Sequence, residues 1–256
     1  MCGKASVVDL KWNDVYTWAK LTPPQGAMPP DPESRVNISP SRLRRKADAK
    51  SMIWETLPIV APENGVYSPS EAIWPFLPPW SHGRLPYLKS GKLLSTANAR
   101  LRQESPAFAP TYMPFFRKGG RVLVAVSWFY EFDARVRPQI PYAVFPLDRP
   151  FWLMAGLSSI LGEEQAGACR SVAIITVEPN EVLRGVGHHR SPALLRTPED
   201  CHAWLNGSKA EALSVLRPYP SESMGTEPTP MEIKIPGNQS VALPAVFHKR
   251  GQHRTG

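Results

Sequence analysis

Short runs rich in β-branched and aromatic residues recur along the middle of the chain, each bounded by proline, glycine or charge. On that pattern residues 51–59, 121–132, 142–145, 151–157 and 171–177 are predicted strands. Helical spacing is rarer. Residues 10–21 place Val15, Trp18 and Ala19 on one face, which predicts an amphipathic helix, and the proline-rich stretch 23–34 reads as a loop. Residues 107–116 are ambiguous, one reading being a helix broken by Pro110 and Pro114. Pro198, Glu199 and Asp200 introduce a short helix through Trp204 and Leu205, and a second is predicted over 209–216. Helices and strands mix without a βαβ rhythm, and no internal repeat is present. The predicted fold class is α+β: a single domain with a curved, largely antiparallel β-sheet core and flanking short helices. Residues 1–217 are assigned to it. Residues 218–256 form a C-terminal extension with alternation only in IKIPG and VALPAVF, and its last residues are expected to fray.

Composition narrows the class. Of 256 residues 42% are hydrophobic, too many for a disordered chain and enough for a core without covalent staples. The 29 prolines, roughly twice the usual share, favour short elements and ordered turns over a helical bundle. No apolar run approaches the roughly 18 residues of a membrane span, and MCGKASVVDL lacks the apolar core of a signal peptide. No membrane partner is expected, and a cytoplasmic or nucleoid-associated, intracellular location is. A phage or mobile-element origin stays open. Cysteines 2, 169 and 201 are too scattered for a disulfide framework or zinc knuckle. A reducing compartment fits, and neither a metal nor another cofactor is expected.

Charge raises the question of a partner. Lys and Arg number 30 against 22 Asp and Glu, a net charge of +8 that favours encounter with polyanions or simply keeps the protein soluble. Arg84, Lys89, Lys92, Arg100, Arg102, Arg117, Lys118 and Arg121 are interrupted only by Glu104, and Arg42, Arg44, Arg45 and Lys46 follow RVNISPS. These cations either line one groove or form separate solvated faces.

Candidate chemistry begins at Cys2. Removal of Met1 exposes an α-amine beside a thiol; the amine condenses with an aldehyde, and the thiol then closes on the imine carbon. A second position also holds cysteine by chance in many chains. Glu131, in the aromatic run WFYEF, is either a partly buried proton carrier or an edge carboxylate. His188, in the polar island GHHRSP, either protonates a sugar oxygen or is a turn residue bonded to backbone. Asn98, in STANAR, either holds a sugar or phosphate oxygen or makes a turn.

The order of these segments resembles the SRAP (SOS response-associated peptidase) family of abasic-site processing proteins. MCGK is similar to the family's Met-Cys-Gly-Arg, RVNISPS to Arg-Tyr-Asn-Ile-Ala-Pro, and WPFLPPW to Trp-Gly-Leu-Ile-Pro-Ser-Trp. Asn98-Ala99-Arg100 stands intact, RVLVAVSWFYEF matches the segment ending Gly-Phe-Tyr-Glu-Trp, and the stretch ending in GHHRSPALL matches His-x-Arg-Met-Pro-Val-Ile-Leu. The matches run in family order from residue 2 to about 205, roughly four-fifths of the chain.

The resemblance implies covalent trapping of ring-opened abasic sites in single-stranded DNA by a thiazolidine on Cys2, with no cofactor. It assigns sugar positioning to Asn98, proton transfer in crosslink formation and reversal to Glu131, and ring opening and adduct release to His188. It also implies autocatalytic removal of Met1, a peptidase-like activity beside lyase-like crosslink reversal. Lys4, Arg100 and Arg190 would meet phosphates, while Asn37, Pro40, Trp74 and Trp80 would line the strand. Both tryptophans also read as core residues. The implied partner is single-stranded DNA with an abasic site, its junction with duplex being a further candidate, and a monomer is expected. Pro75, Trp128, Arg102 and Ser191 depart from the family pattern, Trp128 setting a bulky ring near the proposed site. Two other readings stay open: a noncatalytic single-stranded DNA-binding module and an N-terminal-nucleophile glutaminase.

Overall fold

The computed structural model describes residues 3–229 apart from 42, 46–51, 64, 103–107, 118, 134 and 162–168. In chain order the elements are β1 (Lys4–Val7), α1 (Trp12–Ala19), β2 (Arg35–Ile38), β3 (Leu43–Arg45), β4 (Met52–Trp54), β5 (Thr56–Glu63) and β6 (Val66–Ile73). There follow β7 (Asn98–Arg100), α2 (Met113–Arg117), β8 (Arg121–Val126), β9 (Trp128–Asp133), β10 (Ile140–Pro146), β11 (Trp152–Leu161) and β12 (Cys169–Val177). The last are α3 (Glu181–Gly185), β13 (Ser191–Pro192), α4 (Pro198–Asn206), α5 (Lys209–Ser214) and β14 (Met224–Pro228).

The most apolar runs build a closed barrel. Strands β8, β11 and β12 are buried along most of their length, the pattern of a strand covered on both faces. Pairing runs β11, β8, β5, β6, β12, and β12 returns to β11, so no edge is left open along that circuit. Pairs are antiparallel except where β12 meets β6 and β7 in parallel. The remaining strands form a second sheet in the order β14, β10, β9, β1, β2. The chain is α+β with a largely antiparallel core, as its sequence pattern predicts.

Residues 121–132, predicted as one strand, form two strands in different sheets. The break is Ser127, whose hydroxyl accepts from the Val8 amide at 2.8 Å and donates to the Val8 carbonyl at 3.0 Å. A side chain thus replaces ladder bonds where the chain passes from β8 to β9. Strand β6 lacks any strand signal in sequence. Its VYSPSEAI is polar and contains Pro69, yet β5 and β12 hold it on both sides.

Helices cover the barrel. Helix α1 buries Trp12, Val15, Tyr16 and Ala19 and ends on Lys20 in the left-handed region. Thr197 caps α4 ahead of Pro198, and Trp204 on that helix donates to the Val122 carbonyl at 2.9 Å. Beneath it, Arg121 lies over the rings of Phe116 and Trp204 at 5.8 and 5.9 Å, half-buried. Arg121 therefore leaves the cationic groove the sequence proposed for it. Met113–Arg117 is the helical part of the ambiguous segment, with Pro114 in its first turn.

The fold also runs past residue 217. Strand β14 pairs β10 from Tyr142↔Pro228 to Pro146↔Met224, so Met224–Pro228 is a strand of the second sheet. IKIPG, VALPAVF and the basic residues Arg42 and Lys46 lie outside the described residues. Among the described residues no helix is long and apolar enough to cross a membrane, and no group of His, Cys, Asp or Glu is placed to hold a metal ion.

Candidate active site

Strand β12 brings the separate motifs together. On one edge it pairs β7, with Ile174↔Asn98 and Thr176↔Arg100; on the other it pairs β13, with Thr176↔Pro192 and Val177↔Ser191. The Asn98-Ala99-Arg100 segment and the end of GHHRSP therefore meet on either side of one residue of β12, Thr176.

Glu131 reaches this place from β9. Successive side chains of a strand face opposite sides, so Glu131 shares its side with Phe129. Trp128, Tyr130 and Phe132 pack on the other side with Ala143 and Phe145. The Trp128 ring, expected near the reacting groups, is thus a core residue on the far face of the sheet. The register Lys4↔Tyr130 and Ser6↔Trp128 sends β1 antiparallel to β9, so the N-terminal end of β1 lies at the Glu131 side. Cys2 itself is outside the described residues.

Buried Glu131 and half-buried His188 form a pair, with Nε2 2.8 Å from Oε2. The other ring nitrogen fixes the proton count. Nδ1 of His188 lies 2.9 Å from the Arg190 carbonyl oxygen, which can only accept, so Nδ1 carries a hydrogen. Nε2 and Glu131 then share one further proton: an imidazolium donates to a carboxylate, or a carboxyl donates to a neutral ring. The two states differ by one proton moved along a hydrogen bond, which is what a general acid–base pair needs. His189 stacks on His188 with centroids 5.4 Å apart. Desolvation, then the charges of His188, Arg100 and Arg190, push the His189 pKa down.

The loop carrying His188 is clipped to β9. Arg135 donates to Asp133 at 2.9 and 2.8 Å and to the Gly185 carbonyl at 2.7 Å. Gly187 sits at φ +76, and a Cβ there would fall 2.8 Å from Arg135 Nε, so both backbone and space demand glycine. The side-chain and backbone bonds from Arg135 hold the Asp133 carboxyl down at about 2. Because the folded pKa lies below the unfolded one, this clip contributes its full stability above pH ~4 and loses it as pH falls toward ~2. Arg135→Ala is accordingly expected to flatten the loss of stability between those limits, read by urea unfolding at successive acid pH values.

Arg190 is buried and both its terminal nitrogens are already bonded. It donates to Glu178 at 2.6 Å, to the Leu101 carbonyl at 3.2 Å and to the Thr176 carbonyl. It ties β7 to β12 rather than presenting a free fork to phosphate. Beside it lies a cavity of about 540 Å³ walled by Asn98, Arg100, Thr96, Tyr112, Glu178 and Arg190 among others. Asn98 is half-buried on this wall and Arg100 is exposed.

The other sequence candidates separate into two groups. Trp74 is fully buried and its indole donates to the Ala97 carbonyl at 3.0 Å, so it is a core residue with no face for a base. Trp80 is 56% exposed. Asn37 is buried at φ +57, its backbone N–H donating to Ser6 Oγ at 3.3 Å, and Pro40 and Lys4 are half-buried. Ser41 donates to the Trp74 carbonyl at 3.1 Å, which joins RVNISPS to WPFLPPW. Asp133, Arg135, Glu178 and Thr96 were not legible as site residues. Arg135 and Glu178 act through partners brought near by the fold, Asp133 through Arg135, and Thr96 only lines the cavity; none stands in a distinctive motif.

The model for "SOS response associated peptidase (SRAP)" matches residues 1–235. The chain belongs to the SRAP family. That match takes in β14, in keeping with its place in the second sheet. The abasic site processing protein YoaM of Bacillus subtilis (strain 168) is 27% identical over 176 residues, covering 66% of this chain and 72% of that protein. Among solved structures, a Bordetella bronchiseptica protein gives a TM-score of 0.64 at 16% identity, covering 90% of this chain and 100% of its own. A phage-related protein from the same organism gives 0.60 at 21% identity, covering 91% and 96%. These two likenesses show that the barrel with its second sheet is shared with solved folds.

Proposed function

We propose that this SRAP-family protein processes abasic sites in single-stranded DNA by trapping the ring-opened sugar on Cys2. The observation that carries this reading is the Glu131–His188 pair, 2.8 Å apart, at the side of β9 toward which β1 begins. Support comes also from the abasic-site processing assigned to the Bacillus relative.

The chemistry needs proton transfers at successive steps. Ring opening of the sugar hemiacetal moves a proton onto the ring oxygen and frees the aldehyde, a role for His188. The α-amine of Cys2 attacks the aldehyde carbon, and loss of one water leaves an imine. The thiol sulfur then bonds to the imine carbon while its proton passes to nitrogen, closing a thiazolidine. Glu131 carries protons for water loss and, in reverse, for ring reopening. Asn98 orients the sugar from β7. Arg100, Lys4, Asn37, Pro40 and Trp80 meet the strand, and Arg190 holds β7 and the His188 loop in place.

Trapping is tested with single-stranded DNA containing or lacking one abasic site, denatured before electrophoresis. A denaturant-resistant band is expected only with the abasic strand and the native protein, and Cys2→Ser is expected to lose its stability to heat and nucleophiles. Equal retention of both strands, or an unchanged adduct from the Ser variant, overturns the assignment.

A further inference from the structure

We propose that residues 86–94 form an arm that docks single-stranded DNA flanking the abasic site, a surface outside the reacting groups. The inference rests on the DNA-processing reading above and assigns it a further contact. From Ala72 to Arg102 the sequence has no acidic residue, and Arg84, Lys89, Lys92, Arg100 and Arg102 are all exposed. None of these cations makes an ion pair among the described residues.

The arm is a small built hairpin. Tyr87 and Leu93 form an antiparallel bridge, Leu94 donates to the Pro86 carbonyl at 2.9 Å, and Leu88 donates to the Lys92 carbonyl at 2.8 Å. Gly91 donates to the Leu88 carbonyl at 2.8 Å and sits at φ +77. That is a type I turn closed by a left-handed glycine, a standard three-residue hairpin loop. The conformation is thus fixed by turn chemistry rather than by burial.

Its side chains are in the wrong place for a monomer's core. Tyr87 is 61% exposed and Leu88 46%, with Lys89 and Lys92 beside them. Large apolar side chains interleaved with cations suit an unpaired strand, whose bases stack on the ring while its phosphates meet the ammonium groups. Charge decides against a neutral or basic protein surface, and the exposed ring beside the ammonium groups favours bases with phosphates over an acidic protein. Position adds direction. Leu94, at the base of the hairpin, also lines the cavity beside Asn98, so the arm leaves the cavity rim and reaches on the order of 10 Å at about 3.4 Å per residue. A strand leaving the site on that side would pass along it, and the strand leaving on the other side would not.

The test measures noncovalent binding of intact strands, which keeps it separate from trapping. Fluorescent oligothymidylates on the order of 6 and 20 nucleotides bracket the site sizes of single-strand binders. The double variant Tyr87→Ala, Leu88→Ala is expected to weaken the long strand about 5- to 100-fold and the short one hardly at all. Lys89→Ala with Lys92→Ala is expected to lower the slope of log affinity against log salt by about 1.4. With an abasic strand extended on one side only, the variants should matter for one polarity. Annealing a complement over that flank should erase the Tyr87 contribution. Equal loss on short and long strands, no loss on either, or an effect that survives in duplex overturns the arm. Loss of adduct with unchanged long-strand binding in the native protein would instead count against trapping.

Discussion

Glu131→Gln is expected to slow adduct formation by about 100- to 10,000-fold, the usual worth of one positioned acid–base group. Gln keeps the volume and can still hydrogen-bond Nε2 of His188, so packing on the Phe129 side of β9 is preserved. What it cannot do is carry a proton between steps. Water loss to the imine and proton delivery on reversal then fall to solvent, which has poor access to the buried Glu131 position. Single-turnover accumulation of adduct gives the rate, and affinity for an intact strand gives the control. Formation within a few-fold of the native rate, with the fold intact, would show that Glu131 is a structural partner of His188 and nothing more.

Trp74→Ala and Trp80→Ala are expected to fail in opposite ways. Trp74 is wholly buried with its indole hydrogen-bonded, so truncation opens a core cavity and costs about 3–5 kcal/mol of stability. For a chain of this size that is on the order of a 10 °C fall in Tm. Trp80, 56% exposed, should leave Tm nearly unchanged but weaken single-strand binding by about 1–3 kcal/mol if one base stacks on it. Thermal melts beside binding titrations separate the two. A Trp74 variant that melts normally and loses DNA would reverse the placement of that ring.

How far the sequence foretold these results depends on range. The apolar runs of β10, β11 and β12 and the periodic face of α1 are local signals, and their elements appear close to the expected bounds. Strand β6 is held by neighbours on both sides and shows almost nothing in its own residues. The change of sheet at Ser127 depends on a hydroxyl reaching Val8, which no periodicity encodes. At the site, residue type singled out Glu131, His188 and Asn98 one by one, and motif order linked them to a family. Glu131 meets His188 from β9, while Asn98 and the end of the His188 motif come to β12 through β7 and β13. Arg190 shows the limit most clearly. Its motif suggested a phosphate contact, whereas Glu178 and two backbone carbonyls occupy it.

The central claim is that Cys2 closes a ring on the sugar through both nitrogen and sulfur. Intact mass of the denatured adduct tests it most directly. Expected is the chain without Met1 plus the abasic strand, less one water, from native protein and not in stable form from Cys2→Ser. An abasic strand that yields no adduct, an adduct retaining Met1, or the same stable adduct from the Ser variant would contradict it.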